Sequence, residues 1–201
     1  MTVNTDAPGY RVDGVLTDGE AWVALGTTTL SSGAVNIGFT STTGANDWSQ
    51  YMDLVLVSYL RSDETAGVSY LRVMVNSAST VTDGYQDQGL WGDGANPYAA
   101  ENTSTIQGIA GYMVAGNATA NIFGCAITTI FDINSGKNKT FTTQCAADCN
   151  GSGNVSVFTT TRRSQAPVTS VYISLYPTGS DDLVAGSRVD LFGVLPRMVT
   201  V

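Results

Sequence analysis

The stretch YMDLVLVSYLRSDETAG, from Tyr51 to Gly67, decides the fold of this 201-residue chain. Alternate residues of a strand share a face, so the stretch divides into Tyr51, Asp53, Val55, Val57, Tyr59 and Arg61 on one side and Met52, Leu54, Leu56 and Leu60 on the other. The middle of both faces is mostly apolar. This pattern predicts a central strand that is covered on both sides, as in a sandwich, and the segment SDETAG predicts the turn that follows it.

The ends of this strand carry polar residues for which we expect structural roles. Asp53 is placed to accept hydrogen bonds from the amides of a neighbouring loop. Arg61 ends the strand and is predicted to pair with a loop carboxylate or carbonyl. Further along, Gly186-Ser187 is expected to permit a backbone bend just before the last strand.

The composition is that of an all-β domain. Charged residues make up 13% of the chain and hydrophobic residues 43%, and the rest is largely Thr, Ser, Gly and Asn. The β-branched residues suit strands, and Gly and Asn suit turns. The length is enough for one domain with a sizeable core.

Further strands follow at short, regular spacing, and no window shows helical periodicity with caps. We expect Asp83–Tyr98 to be a long loop with room for one strand at most. In YLRVMVNS we expect Leu71, Val73 and Val75 to face the core while Arg72 and Asn76 face solvent. The predicted fold is a jelly-roll-like antiparallel β-sandwich over residues 19–201, preceded by a short, polar N-terminal arm over residues 1–18. The other segments with strand-like patterning are Ala21–Leu25, Val35–Thr40, Ile106–Ala115, Asn121–Ile133, Lys139–Ala146, Val155–Arg163, Val168–Pro177 and Ser187–Leu195.

Several classes of function are disfavoured. The net charge is −8 and the nine Lys and Arg residues are scattered, which argues against binding a nucleic-acid backbone. No segment is apolar for long enough to span a bilayer, and the N-terminus lacks the features of a signal peptide. We therefore expect no membrane partner and a chain that is made and kept in the cytosol or leaves it without a Sec signal.

Catalytic and metal-binding patterns are also missing from the sequence. The chain has no histidine, which rules out the usual Ser-His-Asp and Cys-His arrangements. Its acids lie mostly in turns, and the oxygen-rich segments DGYQDQG and GSDDLVAG lack the spacing of an EF-hand. We therefore predict that the protein is not an enzyme and needs no cofactor and no metal.

The three cysteines are expected to be unremarkable chemically. Cys125 alternates with Phe123 and Ile127, which predicts a small buried residue on a strand. Cys145 and Cys149 could close a small loop if they were oxidised, and as a zinc site they are weak.

The aromatic residues Tyr85, Trp91 and Tyr98, within Asp83–Tyr98, are the candidate partner-binding residues. Exposed Trp and Tyr side chains anchor protein interfaces or stack on sugar rings. The alternative is that these three side chains cap the open end of the sandwich. The sequence favours neither interpretation over the other.

Three stretches carry a resemblance to a known family. FTST…YMDLVLVSYLRSDETAG…LRVMVNS, the segment NKTF at 138–141 and the closing stretch APVTSVYISLYPTGSDDLVAGSRVDLFGVL resemble a module of tailed-phage virion structural proteins. The resemblance covers roughly residues 39–195. It implies a jelly-roll-like β-sandwich on the outside of a phage particle, in head decoration or cement proteins, knobs or fibre tips, with many such modules forming homotrimers.

The resemblance leaves more than one function open. The first is a capsid decoration or cement protein that binds the major capsid protein on the outer surface of the phage head, assembled in the host cytoplasm, and stabilises the shell. The alternative is a tail-fibre or knob module that recognises a host surface glycan through exposed aromatic residues. A stand-alone carbohydrate-binding module is a more distant third.

We expect the arm to be mobile in the isolated protein and to become ordered along a capsid or sister subunit.

Overall fold

The structure, a computed structural model, describes residues 11–12, 15–16, 22–78, 84–105, 108–176 and 181–195. Over these ranges the chain is built from antiparallel strands, with two three-residue 3-10 helices at Gly44–Asn46 and Trp48–Gln50. In these ranges no helix is long and apolar enough to cross a membrane.

The strands follow one another with short connections, as the spacing of the sequence pattern predicts. In chain order they are β1 (Arg11–Val12), β2 (Val15–Leu16), β3 (Trp22–Thr29), β4 (Asn36–Thr40), β5 (Asp53–Leu60), β6 (Val68–Val75), β7 (Tyr85–Gly92), β8 (Pro97–Thr105), β9 (Ile109–Val114), β10 (Gly124–Phe131), β11 (Lys139–Asp148), β12 (Gly153–Arg162), β13 (Ser170–Tyr176) and β14 (Arg188–Val194).

Two unequal sheets enclose the core. The large sheet has eight strands in the order β3-β14-β5-β10-β11-β12-β7-β8, and the small sheet has four in the order β4-β13-β6-β9. The strand pairings in both sheets are antiparallel. The predicted jelly-roll-like antiparallel β-sandwich is confirmed, and the core fills the space between the sheets.

The strand predicted from the opening stretch, β5, lies between β14 and β10 in the large sheet. Leu54, Leu56 and Leu60 point into the core and are at most 1% exposed. On the opposite face Val55 is buried but Tyr59 is 50% exposed. The expectation that both faces are covered is therefore wrong at Tyr59, because the small sheet packs on only one side of the strand.

The polar ends of this strand hold loops in place, as predicted. The amide of Asp132 donates to Asp53 Oδ1 at 2.7 Å. The Arg61 guanidinium donates to four backbone carbonyls of the loop 116–122, at 2.8 to 3.1 Å. Gly186 adopts a positive φ of 89°, and the hydroxyl of Ser187 donates to the carbonyl oxygen of Arg61 at 3.2 Å.

The segment Asp83–Tyr98 differs most from expectation, since it is not a long loop. It contains β7 and the start of β8, which pair as a hairpin. Its glycines weaken the strand pattern, but Gly89 is required there because an added Cβ would collide with the Phe158 ring. The hairpin therefore depends on a contact with another strand that the local pattern does not reveal.

Two side chains lie in surroundings opposite to those expected. Arg72 is only 1% exposed, and its Nε donates to the hydroxyl of Ser174 at 2.7 Å, so it does not face solvent. Cys125 is exposed rather than buried, because it lies on the outward face of the large sheet.

The other two cysteines are free thiols with separate surroundings. Cys145 lies within β11 and Cys149 follows its end, and four residues of extended strand separate Cα atoms by about 13 Å, too far for a disulfide. Burial raises the pKa of the Cys145 thiol to about 11, so it is neutral at physiological pH.

The predicted arm falls mostly outside the described residues. Within it, β1 and β2 pair with each other in a sheet of their own, apart from the two sheets of the sandwich. The mobility expected of the arm therefore stays a prediction.

Candidate functional site

The site begins with a tight turn at the end of the β7–β8 hairpin. Asp93 Oδ1 accepts hydrogen bonds from the amides of Ala95 at 2.9 Å and Asn96 at 2.7 Å. Gly94 takes a positive φ of 89°, which glycine adopts without strain. The turn sets the register that places Trp91 opposite Tyr98.

The large sheet is wider than the small one, and this difference opens a cleft. Strand β9 is the edge of the small sheet and packs on β11 and β12 of the large sheet. The hairpin β7–β8 lies beyond β12, so it extends past the edge of the small sheet. Side chains from both sheets meet in the space beneath this overhang.

Trp91 is the centre of the aromatic packing there. Its ring stacks on Tyr98 with centroids 5.6 Å apart and on Phe158 at 6.1 Å, both with 17° between planes. Tyr112, from the small sheet, packs against it at 5.6 Å. The indole is thus fixed by rings of β8, β9 and β12, which favours one orientation for its face.

The opposite wall of the cleft consists of three tyrosines from neighbouring strands of the small sheet. Tyr70 lies 4.9 Å from Tyr112 and 6.1 Å from Tyr176, measured between ring centroids. We call the space between these walls the aromatic cleft. It has a volume of about 230 Å³ and is lined by Tyr70, Trp91, Ala100, Asn102, Ile109, Tyr112, Phe158 and Tyr176.

The tyrosine hydroxyls at the cleft are neutral, whereas the rim carries the Asp93 carboxylate. Burial, and a hydrogen bond with Tyr70, raise the pKa of the Tyr112 hydroxyl, so it stays protonated. At the rim, the Tyr98 hydroxyl donates to Asp93 Oδ2 at 3.0 Å, and this bond raises the pKa of Tyr98. Backbone amides of Asn96 and Ala95, and then the Tyr98 hydroxyl, hold the pKa of Asp93 below its usual value.

The three predicted binding residues lie in different surroundings. Trp91 lines the aromatic cleft, and Tyr98 stacks on it at the rim. Tyr85 is 0% exposed: its hydroxyl accepts from the amide of Val75 at 3.0 Å, and its ring packs near Phe141. A partner cannot reach Tyr85, while binding by Trp91 and Tyr98 stays a prediction.

Four aromatic residues of the site were not predicted as binding residues: Tyr70, Tyr112, Phe158 and Tyr176. They belong to β6, β9, β12 and β13, far from the hairpin in sequence. A sequence signal was available for two of them, since Tyr70 and Tyr176 alternate with the inward residues Leu71 and Leu175, whereas their pairing across β6 and β13 is visible only in the structure. Large aromatic side chains at solvent-facing strand positions are candidates for a binding surface.

Larger concavities exist but have no aromatic lining. One of about 540 Å³ lies beside Leu90, Ala99 and Val157, and one of about 410 Å³ lies between the turns near Asp93 and Asp148. Over the described part of the chain, no three or more His, Cys, Asp or Glu side chains come together in a group that could hold a metal ion. The aromatic cleft is therefore the candidate site.

Comparison with known proteins gives structural neighbours only. No protein-family model and no curated protein match the sequence. The CBM40 domain of the Ruminococcus gnavus IT-sialidase, bound to alpha2,6 sialyllactose, is 12% identical, with 87% of this chain and 95% of that chain covered and a TM-score of 0.32. The leech intramolecular trans-sialidase is 13% identical over 87% of this chain and 26% of that chain, at a TM-score of 0.27.

A third neighbour is the binding domain of Botulinum Neurotoxin DC, in complex with SialylT. It is 8% identical, with 90% of this chain and 44% of that chain covered, at a TM-score of 0.24. These neighbours include sugar-binding domains, but similarities of this size carry no argument about what the present chain binds.

Proposed function

We propose that this β-sandwich is a glycan-recognition module and that the aromatic cleft is its binding site. The observation that carries the proposal is that five aromatic rings, contributed by both sheets, line one open cleft. A pyranose ring has an apolar C–H face and a hydroxyl edge. Aromatic faces pack on the C–H face, while Asn102 and the tyrosine hydroxyls offer hydrogen bonds to the sugar hydroxyls.

The proposal follows the alternative that the sequence leaves open, in which a tail-fibre or knob module recognises a host surface glycan. The size of the cleft suits one sugar ring, since about 230 Å³ is below the roughly 300–1,000 Å³ of pockets for drug-sized ligands. A site this small is expected to bind with a Kd of about 1 mM, equivalent to roughly −4 kcal/mol. Several copies on one particle, such as the homotrimer implied by the resemblance, would raise the avidity.

We propose binding without hydrolysis. Glycosidases of the common type place two carboxylates on either side of the scissile bond. None of the residues that line the aromatic cleft is Asp or Glu. The chemistry available there is stacking and neutral hydrogen bonding.

The test is a glycan array followed by titration of the bound sugars by NMR. Tyr70→Ala and Tyr176→Ala remove rings from the wall of the cleft and should weaken binding about tenfold, a loss of about 1.4 kcal/mol. Tyr59→Ala is the matched control, because Tyr59 is also half-exposed but lies on the outward face of the large sheet, stacked on Phe123. Failure of the protein to bind any glycan, or equal losses in the control, would overturn the proposal.

Capsid attachment is a second candidate function, and a separate observation favours it. The outward face of the large sheet exposes apolar side chains that a partner protein would cover. The exposed fractions lie between 47% and 68% for Tyr59, Leu90, Ile127, Val155 and Val157. Quantifying this protein in purified virions by mass spectrometry tests the idea: hundreds of copies per particle would support decoration, and a handful would contradict it.

A further inference from the structure

We propose that the aromatic cleft selects a neutral sugar and discriminates against sugars that carry a carboxylate, such as uronic and sialic acids. This inference rests on the proposed function, since it names the chemical class that the cleft accepts. Its basis is the distribution of charge around the cleft.

The first observation concerns the basic side chains. A sugar carboxylate that leaves water needs a cation or several donors to replace its hydration. None of the residues lining the aromatic cleft is Lys or Arg. Among the described residues, three other cations are engaged with groups outside the cleft: Arg61 with the carbonyls of loop 116–122, Arg188 with Asp190 at 2.9 Å, and Lys139 with the carbonyl of Lys137 at 2.7 Å.

Two arginines on strands that contribute to the cleft, Arg72 and Arg162, have their guanidinium groups engaged away from it. Arg72 follows Tyr70 by two residues on β6, but it is only 1% exposed and donates through Nε to Ser174. Arg162, in the large sheet, lies over the ring of Tyr85, with its guanidinium carbon 5.1 Å from the centroid, and Tyr85 is itself buried. Neither guanidinium is presented to a ligand in the cleft.

The second observation concerns the acids, which lie on the strands that form the overhang. Glu101, between Ala100 and Asn102, points to the opposite face of β8, where it lines the concavity beside Leu90, so the acids on the cleft side are Asp87 and Asp93. Asp87 pairs with Asn102 across the β7–β8 ladder and is 3% exposed, and Asp93 lies in the turn at the rim. A carboxylate ligand would meet like charges from this side, and the chain as a whole carries a net charge of −8.

The hydrogen-bonding groups that remain suit hydroxyls. Asn102 offers two donors and an acceptor, and each tyrosine hydroxyl both donates and accepts. The sugar hydroxyl has the same dual character, so neither partner must become charged. A neutral hexose can thus satisfy the cleft without burying an unpaired ion.

The experiment uses matched pairs that differ only at C6: methyl glucoside against methyl glucuronide, and methyl galactoside against methyl galacturonide. Each is titrated into the full chain at neutral pH and followed by the amide chemical shifts of the cleft residues. We expect the uronide of each bound pair to bind at least about tenfold more weakly, a difference of about 1.4 kcal/mol. In Asn102→Lys, which places a cation beside the cleft, the difference should shrink or reverse.

Three results separate the possible failures. Equal or tighter binding of the uronides by the unaltered protein would overturn the inference and leave the glycan-binding proposal in place. An unchanged preference in Asn102→Lys would also overturn it, because the selectivity would then not depend on charge at this position. Binding of none of these sugars, nor of any glycan on an array, would overturn the proposed function itself.

Discussion

Arg61 shows how one residue at the end of a strand organises a distant segment. Its guanidinium donates to the carbonyls of Gly116, Ala118, Thr119 and Ile122, all within one loop. The planar group with five donors suits this arrangement, and an ammonium could not reach all four oxygens. The adjoining backbone is also tied to Ser187, so three separate parts of the chain meet at this point.

We expect Arg61→Ala to lower the free energy of unfolding by about 3 kcal/mol, because it removes hydrogen bonds from a charged donor at a partly buried site. Arg61→Lys should recover only part of that loss. Urea unfolding measures the change, and hydrogen exchange should show faster exchange at loop 116–122. Arg163→Ala, at an exposed arginine, is the control and should change stability by less than about 0.5 kcal/mol. An Arg61→Ala protein as stable as the control would contradict the role assigned to this side chain.

One face of β5 lies in the core and the other is only partly covered, with Val55 buried and Tyr59 half-exposed, and this asymmetry decides which substitutions the strand tolerates. Leu54 and Leu56 are fully buried between the sheets. Tyr59, on the other face, is half-exposed and stacks on Phe123 with centroids 5.0 Å apart. The strand therefore belongs to the core along only one of its two faces.

We expect Leu56→Asp to leave the protein insoluble, since burying an unpaired carboxylate costs several kcal/mol, about as much as the whole stability of a domain. Tyr59→Asp on the same strand should fold, with a loss of about 1 kcal/mol for the stacked ring. Soluble yield and circular dichroism of the two variants check this. If Tyr59→Asp also fails to fold, the outward face is covered after all, and the original expectation of a strand buried on both sides would be restored.

The whole molecule is a sandwich whose two sheets differ in width, eight strands against four. The extra strands of the large sheet create the overhang, and the aromatic cleft lies beneath it. Strands β1 and β2 pair with each other in a separate two-stranded sheet that is not part of the sandwich. Among the described residues, the first strand of the sandwich is β3, which begins at Trp22, and the two arm strands β1 and β2 belong to neither of its sheets.

Deleting residues 2–18 is therefore expected to leave the β-sandwich folded, with a thermal midpoint close to that of the full chain. It should also leave glycan binding in the aromatic cleft unchanged. If the protein decorates a capsid, occupancy on particles should fall, because a segment that orders on a partner contributes contacts there. Aggregation of the truncated chain would show that the arm is part of the domain, and full occupancy on capsids would show that it is a passive tail.

The fold class could be predicted from the sequence because its signals are local. Period-two alternation specifies a strand, and nearly every predicted strand is present within a few residues of its expected bounds. The structural roles of Asp53, Arg61 and Gly186-Ser187 could also be predicted. A polar residue at the end of an apolar strand usually binds the backbone of a neighbouring loop, and a glycine there permits a bend.

Which residues share a surface depends on tertiary structure. Trp91 could be singled out from its segment, but Tyr70, Tyr112, Phe158 and Tyr176 join it only through pairings between strands distant in sequence. The same limit explains Tyr85, Arg72 and Cys125, whose exposure depends on which face of each sheet is covered. The sequence alone thus determined the strands and their polar ends. The packing of a wide sheet on a narrow one decided where the cleft opens. The reason is that the burial of a side chain depends on what packs against it from the other sheet, which its neighbours in the chain do not reveal.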